Sequence, residues 1–351
     1  MNTKKNVSIA FCGCGSIAQM HARELAKIPN VKISAYWNRT REKAEGLMGE
    51  FGGKYVAADF TRIANDPEID AVYINTMHND RLRILQVMAE AGKAVFMEKP
   101  LTHNEKSLVE MRRILERHPI MFQSGYKIRF NSLVEKARAL LPFPEILTAH
   151  VLDEIWPDNS LNEMEIGGGN IRCQGVYAAD ILHLLAGSLP VAVTAISARR
   201  RHTSRVEDTL GAVYEFANGA VGTIAVADAG LATNGVSKFF AEAAGPNGAV
   251  TLCDRFKRLE WRASSLNTSE TFTGEEDGFF RQSAAFIKTI REGAPVRCDF
   301  IAGAIPSIMI YRALESSVTG QRELIDVTPF FTKEKVTDIG CKSEVGDSAK
   351  L

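Results

Sequence analysis

Three stretches of the chain hold groups that can do chemistry. The first is Glu98-Lys99-Pro100, which follows an unbroken apolar run at residues 94–97. Such a run fits a strand buried on both faces of a parallel sheet, and ligands of open α/β sheets bind at the carboxyl ends of those strands. Pro100 fixes its own φ and biases Lys99 towards an extended backbone, which would hold the cation rigidly at that edge. The second stretch is Cys173-Gln174-Gly175-Val176-Tyr177-Ala178-Ala179-Asp180. At helical spacing Cys173, Tyr177 and Asp180 share one face and offer a thiol, a phenol and a carboxylate. The third is Gly13-Cys14-Gly15-Ser16-Ile17-Ala18, a Gly-x-Gly-x-x-Ala pattern. Between a strand and a helix, Gly13 would permit a tight turn and Gly15 would let the backbone approach a pyrophosphate. Ala18 would let the helix pack on the strand, and the helix amino terminus at Ser16 and Ile17 would meet the phosphates. Taken alone, Lys99 reads as an ordinary solvated strand-end lysine and Tyr177 as core packing. The dinucleotide loop is the context that changes both.

Positioning these groups requires alternating strands and helices, and the pattern supplies them. Strand runs at residues 7–12, 31–37, 54–57, 70–76, 94–97 and 120–124 are separated by helical runs at 16–28, 41–51, 59–64, 80–91 and 104–117. Gly92 marks the end of one of these helices. Six strands with intervening helices predict an α/β Rossmann domain, a doubly wound parallel sheet, over residues 1–128. Asn75 and Thr76 then fall at a strand end, on the cofactor side. An acidic residue that would hold a ribose 2′-hydroxyl is missing at the end of the second strand, where Asn38 and Arg39 stand instead. Arginine offers a fork suited to a phosphate, so NADP is favoured slightly over NAD. The alternative is that Arg39 merely caps the next helix.

Beyond residue 128 the character changes. A helix is expected at 132–140 and strands at 146–155, 191–199, 209–216, 220–228, 239–244, 249–253 and 260–263, with a hairpin across Ala217-Asn218-Gly219. Helices at 277–292 and 302–319 close the chain. The expectation is an α+β substrate and oligomerisation domain over 129–333, with a mainly antiparallel sheet. One sheet face would lie on helices and the other would be free to meet another subunit, as a homodimer or homotetramer. A polar, loosely ordered tail is expected at 334–351.

Composition excludes several classes. A chain of 351 residues fits two domains, and 42 basic residues balance 42 acidic ones. Bulk charge therefore gives no case for a nucleic-acid or membrane-surface partner. No apolar run approaches the ~20 residues of a membrane span. Six scattered cysteines form no disulfide framework, which points to a reducing cytoplasm. Cys12-x-Cys14 is too closely spaced for a zinc knuckle, and no metal site is expected.

The chain resembles the Gfo/Idh/MocA family of sugar and polyol oxidoreductases over residues 5–325. The resemblance rests on the glycine loop with His21, Asp70-Ala71-Val72 with Asn75-Thr76, Ala91-Gly92-Lys93, Glu98-Lys99-Pro100, and Gly167-Gly168-Gly169 with Gly175 and Asp180. It implies an active site in a cleft between the two domains, with Lys99 near the nicotinamide and the reacting sugar hydroxyl, Glu98 beside it and His78 on the cofactor side. Two departures stand out. The cleft helix carries Cys173 and Tyr177 where many members have aspartate and an acid/base histidine. Arg81 stands where a histidine is common after the fourth strand.

Oxidising a secondary alcohol to a ketone moves a hydride to the nicotinamide and a proton to a base. Tyr177 alone is too weakly acidic for this, and an adjacent Lys99 ammonium is expected to lower its pKa, making Lys99 and Tyr177 the acid/base pair. Tyr126, Arg129, Trp156 and Arg172, with Asn170, Gln174 and Lys127, are expected to line the substrate side. Two other functions share these residues. One is a glycoside-cleaving enzyme that oxidises, eliminates, hydrates and reduces while recycling its NAD. The other is a non-catalytic NAD(P)-binding regulator.

Overall fold

The computed structural model describes residues 6–155, 160–200, 206–229, 238–264, 268–275 and 277–330. The amino-terminal part contains β1 (Val7–Cys12), α1 (Ser16–Ala26), β2 (Val31–Trp37), α2 (Arg41–Phe51), β3 (Tyr55–Val56) and α3 (Thr61–Ala64). It continues with β4 (Ala71–Ile74), α4 (Arg81–Glu90), β5 (Ala94–Glu98), α5 (Glu105–Arg117) and β6 (Phe122–Gly125). The six strands are parallel and ordered 3-2-1-4-5-6. All residues of β1, β4 and β5 are buried, as unbroken apolar strands covered on both faces must be. The order reverses beside β1, so the carboxyl ends of β1 and β4 open a crevice at the switch point.

The rest of the chain forms α6 (Ser132–Leu140), β7 (Ile146–Asp153), α7 (Gly169–Ala186), β8 (Pro190–Ala198), β9 (Thr209–Phe216) and β10 (Val221–Asp228). Then come β11 (Phe239–Gly245), β12 (Gly248–Cys253), β13 (Arg258–Ala263), β14 (Thr268–Thr273), α8 (Phe279–Glu292), α9 (Phe300–Thr319) and β15 (Glu323–Leu324). Nine strands join in the order 14-13-12-11-7-10-9-8-15. Every pairing is antiparallel except the central β7–β10 pair. The predicted hairpin joins β9 to β10 with Gly219 at φ +86°. Helices α7 and α9 cover one face of this sheet, and strand alternation leaves Ile146, Ile196, Val213 and Val221 exposed.

Helix α8 differs from a simple two-part division of the chain. It lies on α1 and the nucleotide sheet, with Phe286 5.9 Å from Tyr73 and 5.8 Å from Phe96 between ring centroids. Among the described residues no helix is long and apolar enough to cross a membrane. Trp156 and the polar tail at 334–351 lie outside the described residues.

Candidate active site

A cleft of about 630 Å³ runs between the two sheets. Its floor on one side is the dinucleotide loop, because Gly15, Ser16 and Ile17 line it at the start of α1. Gly13 sits at φ +98°, and a Cβ there would fall 2.6 Å from the backbone of Asn75 and Thr76. This close approach joins the loop to the end of β4. A Cβ on Gly15 would meet nothing within 4 Å, so that position faces open space. Asn38 pins the loop from β2, accepting the Cys14 N–H at 3.0 Å and donating to the Thr40 carbonyl at 2.8 Å. Arg39 is exposed beside it.

A dinucleotide fits this floor. The side-chain amide atoms of Asn75 and the hydroxyl of Thr76 are buried without hydrogen-bond partners, in the lining of the cleft. Buried polar groups left in that state need a ligand or water to complete them. Together with the amino terminus of α1 and the open space at Gly15, they form a polar cradle for phosphate, ribose and amide.

Glu98 ends β5 and is buried. Its Oε1 is 2.8 Å from His21 Nε2 on α1, and its Oε2 accepts the Lys99 N–H at 3.1 Å. Burial alone would raise this carboxyl, but the His21 bond and the charges of Lys99 and Arg81 bring it below its ordinary value. Glu98 therefore locks the backbone at Lys99 against the dinucleotide helix. Arg81, at the start of α4, donates to the Thr76 carbonyl at 2.9 Å and also to the carbonyls of Glu98 and Pro100. The sequence marked Arg81 only as a missing histidine. Its work here is to brace the ends of β4 and β5 against each other.

Lys99 reaches across the cleft to α7. Its Nζ donates to the Cys173 carbonyl at 3.0 Å and lies 4.4 Å from the centroid of the Tyr177 ring. Lys99 and Tyr177 are thus brought together as expected, but the ammonium sits over the ring face. The predicted lowering of the phenol's pKa does not follow. Burial pushes Tyr177 well above its ordinary value, and the Glu98 charge adds to this. His78 also lines the cleft, and its Nδ1 lies 2.9 Å from the Gly167 carbonyl. Burial holds His78 well below the ordinary imidazole value. The ring is therefore neutral, with Nδ1 the donor and Nε2 an acceptor.

Several expected substrate contacts lie elsewhere. Arg129 turns away from the cleft, with Nε donating to Asp180 at 2.7 Å and Nη2 to the Ala302 carbonyl at 3.0 Å. Asp180 therefore does not share the cleft with Cys173 and Tyr177. Burial pushes its carboxyl up although the Arg129 guanidinium opposes this. Arg172 lines a different hollow with His103 and Tyr311, where it is 3.4 Å from Glu207. Tyr126 is fully buried and supports Tyr177 edge-on, 6.5 Å between centroids. Asn170 is buried outside the lining, whereas Gln174 and Lys127 are in it. Lys238, Phe239, Arg255, Phe256, Lys257, Asp277 and Phe279 also line the cleft, and none was foreseen from the sequence. They follow strands and turns whose local pattern carries no motif. Among the described residues no group of three or more His, Cys, Asp or Glu could hold a metal ion.

A parallel sheet with a dinucleotide cradle and a strand-end lysine that reaches a helix of the α+β part defines a nucleotide-dependent oxidoreductase architecture. The family profile described as "Oxidoreductase family, NAD-binding Rossmann fold" matches residues 7–126, and the "GFO/IDH/MocA C-terminal domain" profile matches residues 146–249. The chain belongs to the Gfo/Idh/MocA oxidoreductase family. It is 26% identical over 332 residues to dTDP-3,4-didehydro-2,6-dideoxy-alpha-D-glucose 3-reductase of Saccharopolyspora spinosa, covering 91% of this chain and 98% of that one. It is 24% identical over 336 residues to inositol 2-dehydrogenase 2 of Saccharopolyspora erythraea, covering 92% and 96%. Among solved structures, levoglucosan dehydrogenase in complex with NADH and L-sorbose superposes with a TM-score of 0.85 at 19% identity, covering 92% of this chain and all of that one.

Proposed function

We propose that the protein is a cytoplasmic NAD(P)-dependent oxidoreductase that interconverts a secondary alcohol and a ketone on a sugar, sugar derivative or polyol. The observation that carries this reading is Lys99 Nζ, held between the Cys173 carbonyl and the Tyr177 ring in the cleft that the dinucleotide loop also lines. The substrates in the names of the two relatives, a deoxyhexose nucleotide and an inositol, support a polyhydroxylated ligand. When bound, the nicotinamide would supply the hydride acceptor or donor. Gly13, Gly15, Ser16, Ile17, Asn38, Asn75, Thr76, His78 and Glu98 shape its site. Arg39, with no carboxylate beside it, favours NADP slightly.

Lys99 and Tyr177 share the substrate oxygen. In the reducing direction Tyr177 starts as a neutral phenol able to give its proton to the ketone oxygen, while the Lys99 ammonium stabilises the developing alkoxide. In the oxidising direction the alcohol proton returns to this pair. The raised phenol favours the reducing role, since the protonated form is the one present.

A panel of sugars, polyols and their ketones, assayed with both dinucleotides at the nicotinamide absorbance band, tests the proposal. Lys99→Ala should lower kcat by about 10²-fold or more. Full activity in that variant would remove Lys99 from the mechanism. A sugar product with no net absorbance change would mark the cofactor-recycling glycosidase, and tight dinucleotide binding without transfer would mark a non-catalytic binder.

A further inference from the structure

The turn between β12 and β13 is unusual. Asp254, Arg255 and Phe256 have φ of +52°, +57° and +63°, so three successive residues with side chains occupy the left-handed region. L-residues enter that region singly and at a cost, and bulky ones seldom do. A run of three persists only where its surroundings over-determine it. Here they do. Phe256 is buried and packs 5.9 Å from the Phe239 ring, and Asn131 donates to its carbonyl at 3.3 Å. Arg258 holds the Asp254 carboxylate at 2.9 Å, and Gly274 donates to the Lys257 carbonyl at 2.9 Å.

The result of this conformation is to place Arg255, Phe256 and Lys257 in the lining of the cleft. Lys127 and Lys238 join them there. Among the described lining residues, Arg81, Lys99, Lys127, Lys238, Arg255 and Lys257 are six cations, against two carboxylates, Glu98 and Asp277. Asp277 lies 3.3 Å from Lys127. The carboxylates on Lys238 and Lys257, Asp153 and Glu275, stand outside the lining. The Lys257–Glu275 pair is exposed, and such pairs are weak and can yield to a ligand anion, whereas Lys238 is held by the buried Asp153 at 2.7 Å and adds its charge from the wall of the cleft. A cleft lined by one sign of charge concentrates ligands of the other.

We propose that Arg255, with Lys127, Lys238 and Lys257, forms an anion-binding subsite, so that the substrate carries a carboxylate or phosphate group besides its hydroxyls. The inference rests on the oxidoreductase reading of the same cleft. Arg255 supplies the planar fork that matches either anion. The left-handed turn sets its backbone at the edge of the cleft before the ligand arrives.

The test compares matched ligands on the full-length protein: a hexuronate, an aldonate and a hexose phosphate against a neutral hexose and an inositol. Binding is read by calorimetry with and without dinucleotide, and turnover by nicotinamide absorbance. Anionic members should bind at least about ten-fold tighter than their neutral counterparts. The preference should shrink as salt rises, and the carboxylate and phosphate arms tell which anion is meant. Arg255→Gly should abolish the preference while the melting temperature holds or rises, because glycine relaxes the left-handed turn. Arg255→Lys should keep part of it. Equal binding of anionic and neutral ligands overturns the proposal, as does an Arg255→Gly variant that loses dinucleotide affinity and keeps its ligand preference. If anionic sugars bind preferentially and no ligand exchanges hydride, the subsite stands and the oxidoreductase reading fails. If neutral sugars turn over as well as charged ones, the reverse holds.

Discussion

Tyr177 shows how one side chain's surroundings decide which half of a reaction it serves. Burial favours the neutral phenol, so its folded pKa lies above the ordinary value of about 10. A donor remains active below its pKa, and raising that pKa extends the active range upward. The reductive rate should therefore show no decline from Tyr177 ionisation until the pH exceeds about 10. Tyr177→Phe should lower kcat by about 10²-fold or more without altering the melting temperature greatly, since the ring and its contacts remain. A pH–rate profile of both proteins checks this, and a wild-type inflection near neutrality that vanishes in the variant would contradict it. Arg129 makes the opposite point. A buried arginine on the segment after β6 reads like a substrate ligand, yet its carboxylate partner is Asp180 of the protein itself. Sequence spacing placed Asp180 on a helix face but could not say that this face turns from cleft to core between Tyr177 and Asp180.

At the scale of elements, the glycine loop separates two requirements that the motif presents as one. Gly13→Ala would drive a Cβ into the backbone at Asn75 and Thr76 at a positive φ, and should destabilise the fold by about 3 kcal/mol or more. Gly15→Ala meets open space at an ordinary φ of −85°, so the protein should fold with its melting temperature nearly unchanged. Its dinucleotide Kd should nevertheless rise at least about ten-fold, because the added methyl stands where the pyrophosphate approaches. Calorimetric unfolding and dinucleotide titration of the two variants would show the contrast. The parallel sheet was legible because buried strands and capped helices leave strong periodic patterns, and Ser132–Leu140 was legible to the residue. Strand β14, Thr268–Thr273, was not, because nearly all of it is exposed and it carries no apolar alternation. The cationic wall escaped for a related reason. Arg255 and Lys257 come from the turn after β12 and Lys238 from the segment before β11, and only the folded sheet brings them to one opening.

For the whole molecule, the uncovered face of the nine-stranded sheet is the feature with the widest reach. Ile196 is 80% exposed and Ile146 52%, with Val213 and Val221 on the same outward alternation. We propose that this face joins subunits into a homodimer or homotetramer. Light scattering after gel filtration should give a mass at least twice that of one chain, and Ile196→Arg should shift it towards the monomer. A wild-type monomer would refute the proposed role of the face. The brace at Arg81 acts over a comparable distance. By tying the Thr76, Glu98 and Pro100 carbonyls to one guanidinium, it makes the strand end that meets the cofactor and the strand end that presents Lys99 a single rigid jaw. Closure around a ligand must then come from the opposite wall, formed by α7 and the β12–β13 turn. Motion on binding should be lopsided, with amide exchange slowing on that wall and staying level along β4 and β5.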